Sequence, residues 1–121
     1  MELLRAMIFV KDLERMTVFY QDALGLRPLP EKTTDGWIEF DAGGTILALH
    51  AIPAEYAKNI QISNPPAARE DNPIKLVFRA ADLSAARAHL IEHGAVMGEM
   101  RSWGACDGLD PEGNVFQIAL V

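Results

Sequence analysis

Residues 5–13, R-A-M-I-F-V-K-D-L, and residues 75–83, K-L-V-F-R-A-A-D-L, decide the fold because the second segment repeats the plan of the first. Each is a mostly apolar run followed by an aspartate and a leucine. This pattern predicts a strand and then a helix that the aspartate caps. The offset between the two segments is 75 − 5 = 70. Internal duplication is therefore the first hypothesis about this chain.

The first half extends this plan with one helix and three more strands. Apolar residues recur at helical spacing from Leu13 to Leu24, and Gly25 is expected to end the helix. The turn dipeptides Asp35-Gly36 and Gly43-Gly44 separate the strands that follow. Those strands are predicted over Leu26–Pro30, Trp37–Phe40 and Thr45–Ile52.

A connection is predicted over residues 53–72, where Pro65-Pro66 breaks the pattern and only Ala54–Ile60 has helical character. The strand and helix order then starts again. Its elements are a strand over Ile74–Ala80, a helix over Leu83–His93 that Gly94 closes, and strands over Ala95–Arg101, Trp103–Asp107 and Asn114–Val121.

A second match supports the duplication, because Asp41–Ala48 lies over Asp110–Gln117 at an offset of 110 − 41 = 69. The predicted fold class is therefore α+β. We expect a single domain over residues 1–121, built from two βαβββ modules. Module one covers about 1–52, the connection 53–72, and module two about 73–121.

Composition excludes several classes of function. The formal net charge of −6 and the lack of any basic cluster argue against nucleic-acid binding. No window approaches the roughly 18 apolar residues that a membrane span requires. Cys106 is the single cysteine, so no intramolecular disulfide is possible, and the charged N-terminal stretch is unlike a signal peptide. We expect a cytoplasmic protein with no nucleic-acid or membrane partner.

Four motifs occur in a fixed order: V-K-D-L at 10–13, F-Y-Q-D-A-L-G-L at 19–26, A-A-D-L at 80–83 and D-P-E-G-N at 110–114. This set resembles the vicinal oxygen chelate superfamily, which includes glyoxalase I, bleomycin-resistance proteins, fosfomycin-resistance enzymes and extradiol dioxygenases. The resemblance implies a glyoxalase-like fold, in which the modules form a curved mixed sheet around a cavity, and a homodimer. It also implies that catalytic members hold a divalent metal on the first and last strands of each module.

Carried over residue by residue, the family's four metal positions fall on Arg5, Ala48, Lys75 and Gln117. Arginine and protonated lysine have no lone pair to offer, and alanine has no donor atom, so Gln117 alone could ligate. We therefore predict no metal and no cofactor. Two alternatives stay open. His50, two residues beyond Ala48, could pair with Gln117 around a metal, and His89 with His93 could hold zinc, although surface positions suit them better.

The same positions predict an anion site. Strand alternation aims Arg5 and Phe9 into the cavity, together with Lys75, Arg79, His50 and Gln117. Arg5 and Lys75 could clamp a carboxylate or phosphate, each charge-assisted hydrogen bond contributing roughly 1.5–3 kcal/mol. The alternative is that these cations pair with local acids such as Glu2, Glu39 or Asp71, or extend outward into solvent from a strand edge.

Three functions remain in competition. The first is a metal-free protein that binds a small anionic or aromatic molecule in the inter-module cavity. The second is a lyase or dioxygenase type of enzyme, either with a metal on His50 and Gln117 or with Lys75 as a base beside Arg5. The third is a structural domain whose cavity is filled by Met7, Phe9 and Trp103. Three aromatic residues are candidates for the cavity wall: Trp37, Trp103 and Tyr56. The alternative for the two tryptophans is a core or dimer-interface position.

Overall fold

The computed structural model describes residues 1–69 and 72–120, and the chain forms two compact units, Met1–Gln61 and Ile62–Val121. The first unit contains β1 (Arg5–Val10), α1 (Leu13–Val18), β2 (Arg27–Pro28), β3 (Trp37–Asp41), β4 (Ile46–Ala51) and α2 (Ala54–Ala57). The second contains β5 (Leu76–Arg79), α3 (Leu83–Glu92), β6 (Val96–Arg101), β7 (Ala105–Leu109) and β8 (Val115–Ala119). No helix of the described part of the chain is long and apolar enough to span a membrane.

Each unit has one four-stranded mixed sheet with the same topology. The strand orders are β1-β4-β3-β2 and β5-β8-β7-β6. The first and last strands of each unit pair in parallel, and the other pairs are antiparallel. The fold is therefore α+β with two βαβββ modules, as the sequence predicts.

The predicted caps hold both main helices. The Asp12 carboxylate accepts the amide of Arg15 at 3.0 Å, and Asp82 accepts that of Ala85 at 2.9 Å. These bonds satisfy amides that the first helical turn leaves without a carbonyl. Gly25 and Gly94 follow the helices with φ of +69° and +95°, a conformation that glycine adopts without steric cost. A π-helical turn over Phe19–Ala23 extends α1 to the glycine.

Each sheet buries one face against its own helix. In the first unit α1 contacts β4, and the buried side chains include Met16, Phe19, Phe40, Leu47 and Leu49. In the second unit α3 contacts β6, β7 and β8, and the buried set includes Leu83, Leu90, Cys106, Phe116 and Ile118. The odd-numbered residues of β1, β3, β5 and β7 thus point to the face without a helix.

Most predicted strand bounds are shifted by one or two residues, and three of these shifts have a local cause. β5 begins at Leu76 rather than Ile74, because the amide of Ile74 bonds to the Asn72 side chain at 3.1 Å. β7 begins at Ala105 rather than Trp103, because a turn from Arg101 to Gly104 precedes it. β2 is reduced to Arg27–Pro28, since a 3-10 turn starts at Pro30. The predicted end of the last strand, Val121, lies outside the described residues.

Strand pairing sharpens the internal repeat. Ala6 and Leu47 pair in β1 and β4, as Leu76 and Phe116 do in β5 and β8, so the offsets are 76 − 6 = 70 and 116 − 47 = 69. Phe40 and Gly108 pair with the same two last-strand residues, which gives 108 − 40 = 68. The predicted offset of 69 is therefore correct for the last strands, β4 and β8, but wrong by one residue for the third strands, β3 and β7. The second unit has one extra residue in the turn, 110–114 instead of 42–45.

That longer turn also anchors the connecting segment. The buried Asp110 carboxylate accepts the amides of Glu112 and Asn114 at 3.0 and 2.9 Å. Arg69 donates its amide to the Gly113 carbonyl at 3.1 Å and its Nε to the Glu112 carbonyl at 3.2 Å. The connecting segment is thereby fixed to the D-P-E-G-N turn within the second unit.

Candidate functional site

Each sheet has a helix-free face, which we call the first face and the second face. The first face carries Arg5, Met7 and Phe9 of β1, Trp37, Glu39 and Asp41 of β3, and Ile46, Ala48 and His50 of β4. The second face carries Val77 and Arg79 of β5 with Lys75 before it, Ala105, Asp107 and Leu109 of β7, and Val115, Gln117 and Ala119 of β8. The six predicted ligand-binding residues thus divide equally between the two faces.

On the first face, Arg5 is neutralised by a buried carboxylate. Arg5 Nε lies 3.4 Å from Glu39 Oε1, and the Trp37 indole N–H donates to the same oxygen at 3.1 Å. The Arg5 guanidinium also lies over the Trp37 ring, 5.6 Å from its centroid. Glu39 is only 4% exposed, although it is charged. Arg5 therefore pairs with Glu39, one of the local acids that are its alternative partners in the sequence.

His50 occupies the end of the first face among aromatic rings. Its ring lies 5.3 Å from that of Phe9 and 5.4 Å from that of Trp37. The strand register explains this placement. His50 lies on β4, where it pairs with Phe9 of β1 on one side and with Trp37 of β3 on the other. The three side chains form an aromatic row in which the ring planes of Phe9 and His50 are tilted by 31° and those of Trp37 and His50 by 70°. Phe9 is half exposed.

On the second face, Asp107 gathers three polar side chains. Lys75 Nζ donates to its Oδ1 at 3.0 Å, Gln117 Nε2 to the same oxygen at 2.8 Å, and Arg101 Nη2 to Oδ2 at 3.2 Å. Partial burial would raise the pKa of Asp107, but the bonds from Lys75, Gln117 and Arg101 outweigh it and hold the pKa below the ordinary value. Asp107 is thus held as a carboxylate.

Among the residues that the structure describes, positive charge nevertheless exceeds negative charge in this cluster. Lys75 and Arg101 form ion pairs with Asp107 alone within the ranges 1–69 and 72–120, and Arg79 forms none there. Arg79 belongs to the same cross-strand row as Arg101, through Ala119 and Ala105. The second face therefore offers cationic donors that a single carboxylate does not saturate. Asp71, one of the predicted local partners, lies outside the described residues.

The four family metal positions do not suit a metal ion. Arg5 and Lys75 are cations in ion pairs, Ala48 has no donor atom, and the Gln117 amide donates to Asp107. Among the described residues, no three His, Cys, Asp or Glu side chains cluster in a way that could hold a metal. We therefore derive no chemical step through a metal.

Several other candidates lie elsewhere. His89 and His93 are exposed on α3 and at its C-terminal cap, where His93 Nδ1 lies 2.8 Å from the His89 carbonyl oxygen. Trp103 and Tyr56 are 66% and 62% exposed, so neither is a core residue. Met7 and Phe9 are also exposed, which counts against the alternative of a cavity filled by Met7, Phe9 and Trp103. Cys106 is a buried free thiol.

Sequence reasoning followed the first and last strands, and it missed the role of the third. Glu39 appeared only as an alternative partner of Arg5, and Asp107 and Arg101 were not singled out. One signal was present in the alternation of Trp37, Glu39 and Asp41 against Ile38 and Phe40. That alternation indicates a strand with one polar face.

Comparisons with known proteins agree with this architecture. The family profile described as "Glyoxalase-like domain" matches residues 5–119. A search of curated proteins finds no match.

Three solved structures illustrate the shared fold. A glyoxalase/bleomycin resistance protein/dioxygenase family enzyme from Burkholderia phytofirmans PsJN is 22% identical, with a TM-score of 0.75 over 98% of this chain and 97% of that one. The fosfomycin resistance protein FosX from Mesorhizobium loti is 15% identical, with a TM-score of 0.72 over 99% and 91%. FosX from Listeria monocytogenes, complexed with Mn(II) and sulfate ion, is 13% identical, with a TM-score of 0.73 over 98% and 88%. The chain belongs to the glyoxalase-like domain family, within the vicinal oxygen chelate superfamily.

Proposed function

We propose that this protein binds a small anionic or aromatic molecule on the helix-free faces of its sheets, without a metal. The observation that carries the proposal is the cation excess of the second face. Among the described residues, Lys75 and Arg101 share one carboxylate, Asp107, and Arg79 forms no ion pair. The chain as a whole has a net charge of −6, so this local excess of positive charge is what would attract an anion to the second face.

The binding chemistry follows from the unused donors. Lys75 uses one of its three ammonium hydrogens on Asp107, and the Arg101 guanidinium contacts Asp107 through Nη2. Among the described residues no carboxylate pairs with Arg79, so its full guanidinium fork can bind a carboxylate or phosphate. The Gln117 side chain completes the set by holding Asp107 in place. The first face adds aromatic surface through Phe9, His50 and Trp37.

The test is a titration of the purified chain with benzoate and with phenyl phosphate. Arg79→Ala should weaken binding of both compounds about tenfold, the equivalent of one lost charge-assisted contact. Arg15→Ala is the matched control, because Arg15 is an exposed cation on α1 and the two variants change the net charge equally. Equal affinities for both variants, or no binding by the unmodified chain, would refute the proposal.

An enzymatic function is the second candidate, and it is favoured by the neighbours named as enzyme and resistance proteins. The structure gives little support to the predicted lysine base. Lys75 donates to Asp107 as an ammonium group, which has no lone pair to accept a proton. A metal-dependent version needs ligands that Arg5, Ala48 and Lys75 do not supply. Turnover that appears on adding Mn(II) and is lost in His50→Ala would establish this candidate instead.

We also propose a homodimer in the cytoplasm. The homodimer is what the superfamily resemblance implies, and a lone reduced cysteine suits a reducing compartment. Sedimentation velocity distinguishes a dimer from a monomer, and a single species of 13.3 kDa would contradict the first part.

A further inference from the structure

The Arg5–Glu39 pair of the first face has two buried atoms whose hydrogen-bonding capacity is unused. Glu39 Oε2 and Arg5 Nε are both inaccessible to solvent, and neither has a hydrogen-bond partner among the described residues. The 3.4 Å contact between Arg5 Nε and Glu39 Oε1 brings the charges together without hydrogen-bond geometry. Burying a carboxylate oxygen without a donor is unfavourable, because the oxygen loses its hydrogen bonds to water and gains none in return. Such an atom calls for an explanation.

The two unused atoms define a complementary partner. Glu39 Oε2 can only accept a hydrogen bond, and Arg5 Nε can only donate one. A partner anion would satisfy Arg5 but would meet the Glu39 carboxylate, and a partner cation would satisfy Glu39 but would meet the guanidinium. A neutral group with an N–H beside a carbonyl satisfies both atoms without adding charge to the buried pair.

The surroundings favour a planar carrier for that group. The Trp37 ring is adjacent to both members of the pair, through its indole bond to Glu39 and the guanidinium above its ring. His50 and Phe9 extend the aromatic row by one strand each. Aromatic faces stack with flat rings in offset or edge-on arrangements. In the sheet register Ala48 lies between Met7 and Glu39, and Met7 is half exposed. Its unbranched side chain adapts readily, so a ligand that reaches the pair would have to displace it.

We propose that Arg5 and Glu39 recognise a planar amide, either a carboxamide on an aromatic ring or a ring lactam. Glu39 Oε2 accepts the amide N–H, Arg5 Nε donates to its carbonyl, and the Trp37 and His50 rings pack against the plane. This inference rests on the proposed function, because it assigns the class of aromatic ligand to the first face. Anion binding by Lys75, Arg79 and Arg101 on the second face does not depend on it.

The experiment compares three probes of similar size: benzamide, benzoate and benzylamine. The readout is the Trp37 indole N–H resonance in ¹H–¹⁵N spectra, assigned with Trp103→Phe, together with the dissociation constant from its shift. Benzamide should move this resonance and bind about tenfold or more tightly than benzoate at this face, because only the amide satisfies both buried atoms.

Glu39→Gln tests the acceptor directly. Glutamine has the same shape but presents an N–H₂ group as well as a carbonyl, so the preference for benzamide over benzoate should fall about tenfold. Asp41→Asn is the matched control, since it removes a carboxylate two residues along the same face, one that pairs instead with Arg27. If Glu39→Gln fails to fold, Arg5→Met serves as the second variant. This substitution should weaken the binding of benzamide without weakening the binding of benzylamine.

The outcomes separate the two proposals. If benzoate binds through Arg79 while benzamide leaves the Trp37 resonance unmoved, the planar-amide inference is refuted and the proposed function stands. If Glu39→Gln and Asp41→Asn change the preference equally, the inference is also refuted. If none of the three probes binds at millimolar concentration, the planar-amide inference is refuted, and the titration with phenyl phosphate decides the proposed function.

Discussion

Glu39 and Asp107 occupy equivalent positions in the two sheets, and each forms an ion pair with the equivalent cation. Glu39 pairs across the sheet with Ala48 and lies 3.4 Å from Arg5, whereas Asp107 pairs with Gln117 and lies 3.0 Å from Lys75. Both units therefore have a cation at or just before the start of their first strand, and both have a carboxylate on their third strand. The residues around these pairs differ, because aromatic rings line the first face and cations the second.

The Asp107 cluster predicts a particular response to acid. Its folded-state pKa lies below the ordinary value of 3.8, so its contribution to stability is present above that value and is lost as the pH falls through the folded-state pKa. Asp107→Asn should lower the free energy of unfolding near neutral pH. It should also make that free energy fall less steeply as the pH is lowered into the acid range. Urea unfolding at a series of pH values measures this. Asp35→Asn, in an exposed turn, is the control. An acid dependence as steep as that of the unmodified chain would contradict the prediction.

The Asp82 cap predicts a stability change that depends on hydrogen bonding rather than on charge. Asp82→Ala removes the acceptor for the Ala85 amide and should cost about 1 kcal/mol of unfolding free energy. Asp82→Asn keeps an acceptor oxygen and should retain most of the stability. Chemical denaturation of the three proteins makes the comparison. Equal losses in both variants would show that the carboxylate acts through its charge instead.

Gly113 should tolerate substitution far less well than other glycines with positive φ. An added Cβ would lie 2.1 Å from the Ala67 carbonyl oxygen, and φ is +84°. Gly113→Ala should therefore destabilise the chain by roughly 1–3 kcal/mol. Gly43→Ala is the matched control, because φ is +81° and its Cβ would meet nothing within 4 Å. The difference between the unfolding free energies of the two variants measures the contact between the turn and the connecting segment. Equal values would mean that the connecting segment moves aside at no cost.

Metal content provides a direct check on the donor set. We predict that protein purified without chelators carries no stoichiometric transition metal, and that EDTA leaves its thermal unfolding midpoint unchanged. The reason is that Arg5, Ala48 and Lys75 cannot supply ligands at the family's metal positions. Mass spectrometry of the digested protein quantifies the bound metals. One equivalent per chain would overturn the prediction and point to His50 and Gln117.

Local signals in the sequence were sufficient for most of the architecture. Asp12 and Asp82 mark helix starts because their side chains act within three residues, and Gly25 and Gly94 mark the ends for a similarly local reason. The start of β7 was harder to predict, since Trp103 has a strong strand preference but lies in a turn that Gly104 closes. The start of β7 is thus set by where pairing with the neighbouring strands begins, and not by the strand preference of the residues before it.

The site was predictable in its positions and less so in its electrostatics. Alternation placed Arg5, Phe9 and His50 on one face, and the ladder confirms that they share it. Which carboxylate would neutralise which cation depends on register between strands far apart in sequence. A shift of one residue, such as the one between offsets 69 and 68, changes that neighbour. Asp107 was overlooked for this reason.

The parallel pairing of first and last strands has a consequence for how the chain could be divided. In the described structure, every strand of each sheet finds its hydrogen-bonding neighbours inside its own unit. A cut after Gln61 would therefore break no strand ladder, and the two fragments would each retain a complete four-stranded sheet. This makes the junction at 61 and 62 the place where the polypeptide can be divided while each fragment keeps its own sheet.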